Sequence, residues 1–412
     1  MFRARNLKTI FHQWGGSTAA FFTYTHLGHD LCTGLLVALL PLIKEGLGLS
    51  YLQSGLLLSA YTVTSGLSQF PGGWIGDRVR RNIVIAIGLG GVSLTALAVG
   101  LSPTYYPMLF ILVVMGIFGG AYHPSAVSML SGYFEEAGRG KVIGLHMVGG
   151  AVGFTLGPLL GGLIAQMWGW RFAFIILGIP ALVAAPIVLN KLRQHKDVNG
   201  GELVSHTYTT DGTPTKPKNR WTDIGQVLRP VAAVTALAIL TQFIAGSVMS
   251  FIPIYLVDKH NIAPAYAAML LGIMRSGGIA GSLFGGWLSD KWGGKNAILL
   301  ALVATGPILY LLTQLPFSLV FMVILVLFGL VMPMRQVTVQ SLLMDSTPPQ
   351  LRGIVFGIYF GLGMEGISLV QPVAGHFMDI FGIVEVFHII ALISIALSLV
   401  VLLLVKRPKL RR

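Results

Sequence analysis

Apolar runs long enough to cross roughly 30 Å of hydrocarbon as helices follow one another along the chain, parted by short polar gaps. Twelve such runs are read, over residues 17–43, 51–71, 83–101, 107–133, 142–166, 172–190, 229–257, 266–288, 297–314, 317–345, 354–378 and 385–405. The main polar interruption, 191–228, is rich in Lys, Thr, Gly and Pro. It predicts a linker between an N-terminal six-helix half (1–190) and a C-terminal six-helix half (229–412). The expected fold class is an all-α polytopic membrane protein with twelve transmembrane helices.

Composition agrees. Of 412 residues 54% are hydrophobic and 10% charged, whereas a soluble domain carries about 25% charge. The formal net charge of +13 would suggest nucleic acid in a soluble protein. Here its placement matters more. Even-numbered loops and both termini, counting Arg229 at the edge of the linker, hold 23 of the 28 Lys and Arg, while Lys44, Arg171 and Lys259 lie in odd-numbered loops. That asymmetry predicts cytoplasmic termini, with anionic lipid as a secondary partner and no nucleic acid. The basic, amphipathic start MFRARNLKTIFHQW is read as part of a retained first helix. Short loops suggest a bacterial inner membrane. The single Cys32 excludes an internal disulfide framework.

Two charged phrases repeat at half-chain spacing: GGWIGDRVRRN at 72–82 and GGWLSDKWGGKN at 285–296. At an offset of 213, Gly72, Gly73, Trp74, Asp77 and Arg78 pair with Gly285, Gly286, Trp287, Asp290 and Lys291. Arg139-Gly140, Gly144 and Gly153 pair with Arg352-Gly353, Gly357 and Gly366. Internal repeats of this kind build many secondary transporters. These residues resemble the signature of the major facilitator superfamily between its second and third helices, and its echo between the eighth and ninth. The resemblance spans the whole chain and implies two six-helix repeats moving by alternating access. Arg80 and Asn82 depart from the signature.

The physical reading of the phrase is a gating latch. Gly73 and Gly286 are expected to let another helix pack close. Asp77 and Asp290 would face helix N-termini of the opposite half near Gly353 and Lys141, held by Arg78, Arg81 and Lys291. The plainer reading is charge at a membrane boundary. In the fifth span, GLHMVGGAVGFTLGPLLGG (144–162) carries Gly144, Gly153, Gly157, Pro158, Gly161 and Gly162, which resemble the superfamily's antiporter motif. The four-residue step makes a stripe for helix contact, and Pro158 allows a bend. The plainer reading is packing alone. With THLGHDL, LLPLIKEGLGLSYLQSGLL and GGAYHPSA, the phrase also resembles the fosmidomycin-resistance exporters, although Ser125 replaces an acid common there.

Five ionisable residues are singled out near the middle of spans: Asp30, His123, Arg275, Arg335 and Glu365. A charge at the middle of a membrane helix costs about 2.5–3.5 kcal/mol, so each needs a polar cavity or a partner. One reading is structural, with Arg335 paired to Glu365 and Asp30 neutralising Arg275. The other makes the arginines a clamp for an anionic cargo and gives the coupling proton to Asp30, Glu365 or His123. His26, His29 and Asp30 suggest a metal set without a further ligand, so no metal is expected. His146 shares the face of the fifth-span glycines and is read as packing. No enzyme signature, catalytic residue or cofactor motif is present; GRGKV at 138–142 lacks the full phosphate-loop pattern. The expected function is proton-coupled export of small, anionic compounds or drugs by antiport. The alternatives are an importer or exchanger of organic anions such as sugar acids or organophosphates, a non-transporting membrane sensor, and a channel. The two halves supply both cavity walls, so a monomer is expected.

Overall fold

The computed structural model describes residues 15–76, 78–134, 136–192, 232–347 and 352–404. They form α1 (Gly16–Leu47), α2 (Tyr51–Gly76), α3 (Arg81–Leu101), α4 (Tyr105–Tyr133), α5 (Glu136–Trp168) and α6 (Trp170–Lys191), then α7 (Ala232–His260), α8 (Pro264–Trp292), α9 (Gly294–Gln314), α10 (Leu319–Ser346), α11 (Arg352–Phe381) and α12 (Ile383–Leu404). A helix is the economical answer to an apolar run in lipid, because every interior backbone group is satisfied within the segment. Among the described residues, nine of these helices are long and apolar enough to cross a membrane. The helix assignment of α1 lapses at Gly34, whose backbone keeps helical angles (φ −70, ψ −16), so α1 remains one 32-residue span.

The repeat is structural as well as sequential. Advanced by 213 positions, α3 and α6 coincide end to end with α9 and α12. Gly169 and Gly382, at equivalent positions, precede α6 and α12 with φ of 89° and 88°, a conformation that favours glycine. Contacts repeat too. A Cβ at Gly72 would lie 2.7 Å from the Ala121 Cα, and a Cβ at Gly285 would lie 3.0 Å from the Cα of Met334, the residue equivalent to Ala121. Gly116 presses on the backbone of Tyr61, and Gly329 on that of Met274, again at the same offset.

The first six helices meet the last six along α5 with α8 and along α2 with α11. A Cβ at Gly162 would lie 2.6 Å from the Ala265 carbonyl oxygen, and one at Gly272 2.9 Å from that of Thr155. Gln166 bonds to Tyr266 at 3.0 Å. On the other seam, a Cβ at Gly55 would lie 2.6 Å from the Gln371 carbonyl oxygen. These contacts close the end of the bundle that carries residues 48–50. Beyond Phe154 and Arg275, towards the other end, the α5–α8 line reaches Gly144 and Gly286. Neither has anything within 4 Å of its Cβ position. Among the described residues, the tight contacts between the halves thus lie on the 48–50 side of Phe154 and Arg275.

Candidate functional site

The polar centre of the first six helices is built on α1. Thr25, His26, His29 and Asp30 share one face, because positions three and four apart lie together on a helix. Asp30 is buried. Its Oδ2 lies 3.1 Å from His26 Nε2 and its Oδ1 2.7 Å from His29 Nδ1. His123 Nε2, from α4, is 4.0 Å from Oδ1. His146, from α5, stacks on His26 with ring centroids 4.2 Å apart. Tyr122 stacks on His29 at 4.7 Å and its hydroxyl bonds with that of Thr25 at 2.9 Å. Four histidines thus surround one carboxylate.

The geometry fixes most protons. His26 Nδ1 faces the His146 carbonyl oxygen at 2.8 Å, and a carbonyl only accepts, so that nitrogen carries a hydrogen. His26 Nε2 and Asp30 Oδ2 can then bond only if one further proton lies between them. His146 Nδ1 donates to the Phe22 carbonyl at 3.0 Å and His29 Nδ1 donates to Asp30. The remaining nitrogens of those two rings are buried without hydrogen-bond partners among the described residues. The His26–Asp30 contact thus requires one proton between the two groups. His123 is its exposed edge, with 36% side-chain exposure.

Glycine makes this possible. A Cβ at Gly150 of α5 would lie 2.5 Å from Asp30 Oδ2 and 2.6 Å from His26 Nε2. Cβ atoms at Gly153, Gly157 and Gly161 would lie 2.5, 2.8 and 2.6 Å from Leu27, Leu31 and Leu35. The fifth-span stripe therefore packs mainly on α1, while Gly162 turns to α8. Pro158 lies inside α5. His146, read from sequence as packing, belongs to the polar cluster. Gly150 was not singled out by the sequence at all. His26 and His29 were noticed only as a metal set. His26, Asp30 and His123 offer one ligand atom each within 4.8 Å, wider than the about 3.4 Å that a tetrahedral zinc with bonds of 2.0–2.1 Å demands. His26 and Asp30 are already bonded to each other.

Arg275 of α8 reaches across to the first half. Its Nη1 donates to the Phe154 carbonyl at 3.3 Å, its guanidinium lies 5.2 Å from the centre of the Phe154 ring, and the Gly34 Cβ position is 3.3 Å from Nη1. Among the described residues, Asp30 pairs with histidines and not with Arg275. The two Asp30 carboxylate oxygens face His26 and His29, and no direct contact with the Arg275 guanidinium is seen among the described residues. Arg335 of α10 is buried, with 1% exposure. It donates to Gln242 of α7 and to Met332 Sδ at 3.7 Å, and its Nη1 has no hydrogen-bond partner among the described residues. The side chain of Glu365 lies outside the described residues, so its pairing with Arg335 is not seen.

The two polar centres are related by the repeat. His29, Tyr122 and His146 correspond, 213 positions on, to Gln242, Arg335 and Tyr359. The same three places are polar in both halves, with different chemistry in each.

At the repeated phrase, Asp77 lies outside the described residues. Arg78 lies over the ring of Trp74 at 3.9 Å, and Lys291 over that of Trp287 at 4.8 Å. Asp290 is exposed and Arg81 begins α3. Neither Gly73 nor Gly286 is closely packed among the described residues in this conformation. The Gly73 Cβ position has its nearest neighbour at 4.0 Å, and that of Gly286 has none within 4 Å. The close contacts fall on Gly72 and Gly285, because one residue turns a helix face by about 100°.

A sequence profile describing the Major Facilitator Superfamily matches residues 23–370. The chain belongs to that superfamily. It is a multi-pass membrane transporter and not an enzyme. It is 25% identical over 388 residues to the tetracenomycin C resistance and export protein of Streptomyces glaucescens, covering 82% of this chain and 71% of that one. It is 25% identical to the fosmidomycin resistance protein of Escherichia coli strain K12, covering 85% of each. It is likewise 25% identical to a D-galactonate transporter of Escherichia coli O6:H1, covering 88% and 89%. The structure superposes on a bacterial homologue of the human lysosomal transporter Spinster, solved in an inward-facing and occupied conformation. The TM-score is 0.76 at 16% identity, over 93% of this chain and 96% of that one.

Proposed function

We propose that this transporter is a proton-coupled exporter of small anionic compounds, working by antiport. The observation that carries the reading is the buried His26–Asp30 pair, whose geometry calls for one shared proton. One turn along α1, the Arg275 guanidinium from the other half lies beside Gly34. A proton that enters past His123 can settle on the His26–Asp30 pair, one helical turn from the guanidinium that would hold an anion, so the proton site and the anion site lie side by side. Arg335, whose Nη1 has no hydrogen-bond partner among the described residues, supplies a second guanidinium suited to carboxylate, phosphate or phosphonate.

Export is favoured over import by the fifth-span glycines and by the two relatives named for resistance. The D-galactonate relative supports the second reading, an importer of organic anions using the same arginines. In either cycle Asp77 and Asp290 latch the linker-facing end when the 48–50 end opens. The termini and linker lie in the cytoplasm of a cell whose inner membrane holds the protein as a monomer.

The test is proton flux in proteoliposomes holding a pH dye, with fosmidomycin, other organic anions and cationic drugs added in turn. Proton movement triggered by an anion and opposite to it supports antiport, and movement in the same direction supports the import reading. Proton movement with cations alone removes the clamp role from Arg275 and Arg335.

A further inference from the structure

We infer that Asp379 is a gating residue for transport, an outer latch that holds the 48–50 end shut by capping a helix of the opposite half. α2 begins at Tyr51, and the first backbone N–H groups of a helix have no partner within it. Here Tyr51 N–H donates to Asp379 Oδ1 at 2.8 Å, and Leu52 N–H donates to Oδ2 at 2.9 Å. The next N–H, of Gln53, donates to Ser50 Oγ at 3.1 Å, and the Gln53 side chain accepts from Ser50 N–H at 2.9 Å. The local capping box thus covers its share, and α11 provides the acceptor for the other two. A carboxylate at a helix N-terminus also meets the positive end of the helix dipole.

The surroundings show that this cap depends on the closed seam. The Tyr51 hydroxyl donates to Asp258 of α7 at 2.5 Å, and Lys44 lies over the Tyr51 ring at 4.4 Å. Below the cap, Gly375 presses on the Tyr51 carbonyl and Gly55 on that of Gln371, and Ser59 donates to the Ser368 carbonyl. Residues 51, 55 and 59 step along one face of α2 while 379, 375 and 371 step along α11. The seam cannot widen at this end without withdrawing the carboxylate from both N–H groups. Its free energy therefore belongs to one conformation only, as shifting a two-state equilibrium requires. This gate stands whether or not protons drive the cycle.

Asp379 and Asp258 are exposed, so solvent screening limits the effect. Losing the charge-assisted bonds should move the open-to-shut ratio by about tenfold. The experiment places spin labels on Glu45→Cys and Ile380→Cys, which are both exposed, in the full chain in nanodiscs. Native Cys32 is buried and unlabelled. Asp379→Asn should enlarge the long-distance population about tenfold, and Tyr51→Phe, which keeps the cap, should enlarge it less. Asp379→Ser serves as the second variant if Asp379→Asn is not monodisperse. A purely structural role would lower the melting temperature and leave the distances alone. Distance populations unchanged from wild type in whichever variant folds overturn the inference.

Discussion

Replacing Gly150 by alanine places one methyl group against the proton-holding pair. The added carbon would start 2.5 Å from Asp30 Oδ2 and 2.6 Å from His26 Nε2, where ordinary contact begins at 3.4 Å. Relief needs a shift of roughly 0.9 Å. Taken up along the 3.1 Å His26–Asp30 contact, that shift gives about 4 Å, beyond hydrogen-bond reach. A charge-assisted bond lost in a buried site costs about 1.5–3 kcal/mol. Proton binding by the pair should then weaken by roughly 10- to 150-fold. The assay is cargo-driven proton movement in proteoliposomes, with binding of cargo to detergent-solubilised protein measured in parallel. Gly150→Ala should lose proton movement while retaining cargo binding. Gly144→Ala, on the same helix with open space around it, should match wild type. A Gly150→Ala protein that moves protons at the wild-type rate would refute the assignment of the His26–Asp30 pair.

Other expectations follow from the same contacts. Gly72→Ala and Gly285→Ala each crowd a neighbouring backbone and should cost about 1–3 kcal/mol, read as a lower melting temperature; Gly73→Ala and Gly286→Ala should leave it unchanged. Arg335→Gln should reduce anion binding by about 30-fold or more in a protein that still folds, and wild-type binding of every anion tested would remove it from the cargo site. Arg275→Lys should also fail to restore anion binding, since an ammonium lacks the planar fork. Asp290→Asn should slow turnover with cargo preference unchanged; a changed preference would take Asp290 out of the latch.

The span boundaries were legible because hydropathy alone decides which segments can sit in lipid. The structure extends the fifth span back to Glu136 and the eleventh on to Phe381, since a helix continues past the apolar run until a glycine such as Gly382 turns it. The repeat offset was equally legible, and the contacts of Gly72 and Gly285 follow it. Which face a residue presents was not. Gly72 and Gly73 are indistinguishable in composition, and only packing shows which one touches α4. Spacing along the chain groups His26 and His29 with Asp30 but gives no sign that His123 and His146 join them. Their convergence depends on α1, α4 and α5 meeting, in contacts between residues 97 and 120 positions apart. Glycine at 150 carried no signal, because its part is to leave room.

The paired polar centres carry a consequence for how the molecule divides its labour. The two halves place polar groups at the same three repeat positions but give them different chemistry. His29, Tyr122 and His146 occupy the positions that Gln242, Arg335 and Tyr359 hold in the other copy. One centre sets histidines around the Asp30 carboxylate; the other holds a guanidinium whose charge is fixed. A chimera with two copies of the first half would keep two histidine–carboxylate centres and lose the permanent cation. One with two copies of the second would keep two permanent cations and lose the histidine–carboxylate centre. Neither could exchange one species for the other, so in the proposed cycle antiport resides in the difference between the duplicates.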